Sequence, residues 1–186
     1  MLLPMHKYLP LLLLCLGCND RPPTTPETRP VEHPNAGNTA IYDVDPDDPY
    51  EIDDSSFLDM RAGSQVQAFP EILRLGTLEN GEGSFPVYYI SGRRDDTLGY
   101  VFAPDGMIEQ ITVYSPDVVT KNGIRVGNTY QELVERIGPV TTHGTEIESR
   151  VYATKDGLTY RLSMLDQNNL IDSVPAGTTI TEIILR

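Results

Sequence analysis

The sequence predicts an α+β domain, an antiparallel sheet of about six or seven strands with one α-helix packed on it over residues 129–138. Three observations carry that expectation. Short runs rich in Val, Ile, Leu, Tyr and Phe recur from residue 72 onward, separated by turn signals of hairpin length. A single segment combines a helical apolar period with capping signals at both ends. Residues 19–54 hold seven of the fifteen prolines and few large apolar side chains, so the core must be built from residues C-terminal to them.

In chain order, His6 and Lys7 give a weakly positive start, and an apolar run extends from Leu11 to Cys18. Spanning a bilayer takes roughly 20 apolar residues, so this run reads as the core of a secretory signal peptide over residues 1–17. A buried N-terminal strand would need an adjoining folded segment, and a Pro-rich polar stretch comes next instead. Leu16-Gly17-Cys18 resembles a bacterial lipobox, although Cys15 stands where that pattern usually has Leu. The resemblance implies lipidation of Cys18, which would attach the chain to a membrane through several acyl chains at ~0.8 kcal/mol per buried CH₂. Cys15 is a poor acceptor behind the bulky Leu14. With only two cysteines, loss of the leader leaves no internal disulfide. Asn19, in place of Asp, resembles the sorting signal for the outer membrane and implies a cell-envelope protein facing the periplasm.

Residues 18–55 read as a disordered, lipid-anchored Pro/Asp-rich tether, and the globular domain is expected over residues 56–186. Eleven acids face only Arg21 and Arg29 over residues 19–60, whereas sixteen face eleven bases over residues 61–186. Most of the formal charge of −13 therefore sits on the arm. This balance argues against a nucleic-acid partner, because phosphate backbones are bound by clustered Lys and Arg. Asp43, Asp45, Asp47 and Asp54 occupy calcium-loop positions one, three, five and twelve. However, Asp48 replaces the required Gly, a bidentate Glu is missing at the end, and Pro46 and Pro49 oppose the turn. The run reads as solvated acid, not a metal site.

Within the domain, Ser64–Phe69 could start a short helix, which Pro70 limits. Strands are expected at 72–79, 85–91, 97–103 and 107–114, joined by Asn80-Gly81-Glu82-Gly83, Gly92–Asp96 and Pro104-Asp105-Gly106. Thr129 with Glu132 forms a capping box, and Tyr130, Leu133, Val134 and Ile137 share one apolar face. Gly138-Pro139 ends that helix. Strands resume at 150–154 and 158–164 around Lys155-Asp156-Gly157, and a last one runs over 179–185. In the second of these, Leu158, Tyr160, Leu162 and Met164 alternate with Thr159, Arg161 and Ser163, the pattern of a half-buried strand.

Residues 99–186 are similar to the sigma-E-regulated envelope lipoprotein family, whose members have no established biochemical activity. The similarity runs through Met107–Val113, Ser115–Val118, Gly123–Tyr130 leading to Leu133 and Gly138, Thr159-Tyr160, and Glu182–Arg186. It departs after the helix, where Pro139 and Val140 come after Gly138 and no cysteines flank the loop.

Candidate chemistry is sparse. Beyond the leader only His33 and His143 remain; His143 is expected in the post-helix loop, and no His/Cys/carboxylate spacing fits zinc. A triad through His143 would need distant partners such as Ser163 and Asp166 without a nucleophile elbow. Gly123 and Gly127 lack the lysine of a phosphate loop and read as a tight connection into the helix. Arg93 and Arg94 beside Asp95 and Asp96 read as a polar hairpin tip. The ten tyrosines could supply a contact face or simply pleated surface. The sequence thus implies no catalytic, metal or cofactor-binding residues and one modified residue, Cys18. The expected function is a lipid-anchored envelope protein with a non-catalytic interaction or structural role and an envelope protein partner. The competing expectation is a small-ligand binder or carboxylate-based hydrolase with a cleft between sheet and helix.

Overall fold

The computed structural model of the chain describes residues 50–168, 171 and 173–186. Within them the protein is mostly β, which corrects the α+β expectation. Eleven strands form two sheets, and the helix is a single short element. In chain order the strands are β1 (Tyr50–Asp53), β2 (Ser56–Phe57), β3 (Leu73–Asn80), β4 (Gly83–Ser91), β5 (Thr97–Phe102), β6 (Gln110–Val113), β7 (Val118–Thr120), β8 (Thr141–Gly144), β9 (Arg150–Lys155), β10 (Leu158–Leu165) and β11 (Ile180–Leu185). The helix α1 (Tyr130–Ile137) lies between β7 and β8. The large sheet has the order β3-β4-β5-β6-β11-β10-β9-β8, and every neighbouring pair is antiparallel. Ser64–Phe69 yields only a 3-10 turn at Val66–Ala68.

The strand count was underestimated because four strands carry little local signal. β2 and β7 are two and three residues long, and β8 is Thr-Thr-His-Gly. β1 lies inside the acidic run assigned to the tether. Its alternation is nonetheless that of a strand with one buried face: Tyr50 and Ile52 are buried, Glu51 and Asp53 exposed. β1 pairs in parallel with β7 and antiparallel with β2, giving the small sheet its order β2-β1-β7. The folded region therefore extends back at least to Tyr50, not to residue 56. Lys121 ties the end of β1 to the end of β7 by pairing with Asp53 and, at 3.2 Å, with Asp54. Asp54, the last of the calcium-loop positions, thus faces a cation already present; Asp43, Asp45 and Asp47 lie outside the described residues, as do residues 1–17, Cys18 and the rest of the expected tether up to Pro49.

The core lies on one face of the large sheet. Val101, Ile111, Ile183, Tyr160, Leu162 and Val151 point into it, with the small sheet's Ile52 and Phe57 and the helix's Leu133 packed in the same cluster. Burial pushes the Tyr160 hydroxyl up to about 12, with a further upward push from Asp156, so the ring stays neutral throughout the physiological range.

The helix obeys its sequence signals. The Thr129 hydroxyl accepts from the Glu132 amide (3.2 Å), and the Glu132 carboxylate accepts from the Thr129 amide (2.7 Å). Gly138 ends the helix at φ 77°. The backbone hydrogen bond from Thr129, and after it the Thr129 hydroxyl, holds the Glu132 carboxyl below the ordinary glutamate range. A pKa lowered on folding stabilises the native state above the unfolded value, and that contribution disappears as pH falls through the folded value. Glu132→Gln should therefore lower the urea midpoint at pH 7, and the gap to wild type should close in acid. A gap that stays constant from pH 7 to pH 3 would show that the carboxylate charge has no part in the cap.

Candidate functional site

Directly opposed residues of adjacent strands project to the same face of a sheet. One such row, turned away from the core, runs Tyr89–Tyr100–Thr112–Ile184–Thr159 across five strands. A second runs Glu182–Arg161–Tyr152–His143. Ile184 and Val87 are buried yet lie outside the core cluster, because they floor this opposite face.

The face is a cleft because the sheet curls. β3 and β9 are six strands apart in the order, a separation of about 29 Å in a flat sheet at ~4.8 Å per strand. Yet Leu78 and Asn80 of β3 and Arg150 and Tyr152 of β9 line the same space of about 230 Å³. Gly99 assists the curl: a Cβ there would sit 2.0 Å from the Thr112 carbonyl oxygen, so β5 and β6 approach as only a glycine permits. On β3, the Tyr89 ring lies over Gly76, where a Cβ would meet it at 2.6 Å.

The cleft has an apolar side and a polar side. Phe85, Val87, Phe102 and Ile184 form the first. On the second, the Arg186 Nε donates to Gln110 (3.0 Å), whose Nε2 donates to the Thr112 hydroxyl (2.9 Å). Thr112 is fully buried and hydrogen-bonds the Tyr100 hydroxyl. Burial raises the Tyr100 pKa; the Thr112 bond opposes the shift and the Glu182 charge adds to it. Glu182 is itself paired with Arg161 at 2.6 Å, and Glu148 with Arg150 at 2.6 Å. Burial disfavours the Arg150 charge, but the Tyr152 hydroxyl and the Glu148 and Glu182 carboxylates outweigh it and hold its pKa above the ordinary value. Arg186, Gln110, Thr112, Tyr100, Arg150 and Glu182 are thus each held by a neighbour beside an apolar floor.

The residues weighed from sequence fall in different places. His143 lies on strand β8, not in a loop, and its ring stacks on Tyr152 with centroids 5.7 Å apart. That contact brings it one ring away from the cleft. Ser163 instead bonds Thr179, its hydroxyl accepting from the Thr179 amide at 3.0 Å. Gly127 turns at φ 95° in the connection from β7 to α1, as the sequence implied. Arg93 and Arg94 sit at the β4–β5 turn, where Asp95 adopts φ 58°. The cleft itself was not anticipated. Its only sequence trace was the polar half of the β10 alternation, Thr159 and Arg161; the Arg161–Glu182 pairing joins residues 21 apart. A cleft was expected between sheet and helix, whereas this one opens on the face turned away from α1.

Among the described residues no group of three or more His, Cys, Asp or Glu side chains is placed to hold a metal ion. No described helix is long and apolar enough to cross a membrane, which leaves β-barrel spans unaddressed.

No protein-family model and no curated protein matches the chain. Among solved structures, it is similar to the uncharacterized protein yfeY from Escherichia coli, at 18% identity, over 67% of this chain and 90% of that one, with a TM-score of 0.46.

Proposed function

We propose that this chain is a lipid-anchored bacterial envelope protein of the sigma-E-regulated lipoprotein type, held by Cys18 at the outer membrane and facing the periplasm. Its role is non-catalytic: it offers the curled face of the large sheet to an envelope protein partner. The observation that carries the reading is the size and chemistry of the cleft. Pockets for small ligands occupy roughly 300–1,000 Å³. A space of about 230 Å³ with an apolar floor better suits one large side chain inserted from a protein surface. Of the two carboxylates that line it, Glu182 is engaged by Arg161 and Glu82 is exposed on the β3–β4 turn, which argues against the hydrolase reading.

Two measurements test the two halves of this proposal. Cys18→Ser should abolish acyl labelling and move the protein from the membrane pellet to the soluble fraction. If it sedimented with membranes as wild type does, the anchor would be wrong. A photo-reactive residue at Tyr152, in the cleft, should give a discrete crosslinked adduct in intact cells, whereas one at exposed Glu135 on α1 should not. Failure to crosslink at Tyr152, or equal crosslinking at both sites, would remove the cleft as the contact surface.

A further inference from the structure

The cleft does not end at Tyr152. That residue and Glu82 also line a second space, of about 430 Å³, whose remaining lining comes from residues 144–148. The two spaces thus form one continuous groove, bordered by the β3–β4 and β8–β9 turns. Those turns belong to strand pairs at opposite ends of the sheet order, and the curl brings them together. The second space differs from the first in two ways. Ile147 is 82% exposed, an apolar side chain left standing at the rim. The charge is also of one sign: Glu82, Glu146 and Glu148 line the space, and no Lys, Arg or His does. Arg150 neutralises Glu148 at 2.6 Å. Glu82 and Glu146 are exposed, and among the described residues no ion pair engages either. In the first space, by contrast, the basic Arg150 and Arg186 are already held by Glu148 and Gln110.

We infer that the occupant of this groove is a basic polypeptide segment of the partner. A large apolar side chain sits against Phe85, Phe102 and Ile184, and a Lys or Arg lies between Glu82 and Glu146. This inference rests on the cleft being a contact surface and adds the chemistry of what it contacts. Charge complementarity selects the occupant. Opposite potentials across an interface steer encounter and fix register, and like charges suppress wrong partners. A second copy would bring a chain of formal charge −13 against an acidic rim. An anionic lipid surface would be repelled in the same way. The stem of a Lys or Arg covers apolar surface while its head stays in water, which matches an exposed Ile147 in a space shared with two exposed carboxylates.

Photo-crosslinking of the full chain in intact cells tests the inference. A photo-reactive residue at Ile147 should give the same adduct as one at Tyr152. Mass spectrometry should map the attachment to within a few residues of a Lys or Arg of the partner. Glu82→Lys with Glu146→Lys should lower the yield at both positions at least about tenfold at unchanged abundance, since like charges would then face each other. Glu82→Gln with Glu146→Gln should lower it less. Glu71→Lys with Glu135→Lys makes the same change in net charge at exposed positions that line neither space, and should leave the yield as in wild type. A strong Tyr152 adduct that the rim reversals leave unchanged, or that the control pair lowers equally, overturns the basic segment and leaves the cleft as a contact surface. So does a strong Tyr152 adduct with none from Ile147, or one that maps to an acidic segment or to a second copy of this chain. If Tyr152 gives no adduct in wild type, the contact surface itself falls, and the basic segment with it.

Discussion

Gly99→Ala is expected to be the most damaging single substitution in the described domain. The added methyl would lie 2.0 Å from the Thr112 carbonyl oxygen and 2.9 Å from the Val113 Cα. Both are backbone atoms of a central strand and cannot rotate aside as a side-chain tip could. Relief requires β5 and β6 to separate, which breaks the Tyr100–Thr112 pairing and opens voids beside Val101 and Ile111. Overpacking of this kind commonly costs about 1–3 kcal/mol; displacement of central backbone should place the loss at about 3 kcal/mol or above. Because Thr112 also bonds Tyr100 and Gln110, the cleft network should be lost together with stability. Gly81 is the control: its Cβ would meet nothing within 4 Å. Chemical denaturation of the two alanine variants decides the matter, and equal midpoints would show that β5 and β6 are not held at this separation.

A chain beginning at Ser56 should be markedly less stable than one beginning at residue 40. The sequence alone suggested that the acidic arm contributes no core, so that removal through residue 55 would be harmless. The structure reverses that expectation. The cut deletes β1, which supplies Ile52, 1% exposed, and Tyr50, 5% exposed, to the core. It also strips β7 of its parallel neighbour and leaves Phe57 without the Tyr50 ring, 6.5 Å away edge-on. Burying a large side chain is worth about 1.5–3 kcal/mol, so the two alone amount to roughly 3–6 kcal/mol. The melting temperature should fall by at least about 10 °C. A shift under ~2 °C would mean that β1 is dispensable and that the fold starts where composition placed it.

The sequence by itself determined the elements whose signals are local. The Thr129–Glu132 box and Gly138 place α1 to the residue, because a cap is a contact between neighbours three or four positions apart. The hairpins β3–β4 and β9–β10 were legible because their turn residues, Asn80-Gly81-Glu82-Gly83 and Lys155-Asp156-Gly157, set both direction and register. The alternation of Leu158, Tyr160 and Leu162 identified which side of β10 is buried. What the tertiary structure decided is everything that depends on partners distant in the chain. Tyr50-Glu51-Ile52-Asp53 is a strand because β7, nearly seventy residues later, completes its hydrogen bonds, and its acids conceal a two-residue apolar alternation. Val118-Val119-Thr120 is too short to show a period at all. These pairings turned an expected α+β domain into a mostly β one. The cleft was equally out of reach, because it is created by the curl of a sheet whose lining residues come from six strands. Local sequence sets backbone propensity and which face of a strand is apolar; the curvature that gathers Tyr100, Arg150 and Glu182 around one space comes from long-range pairing and the close approach at Gly99.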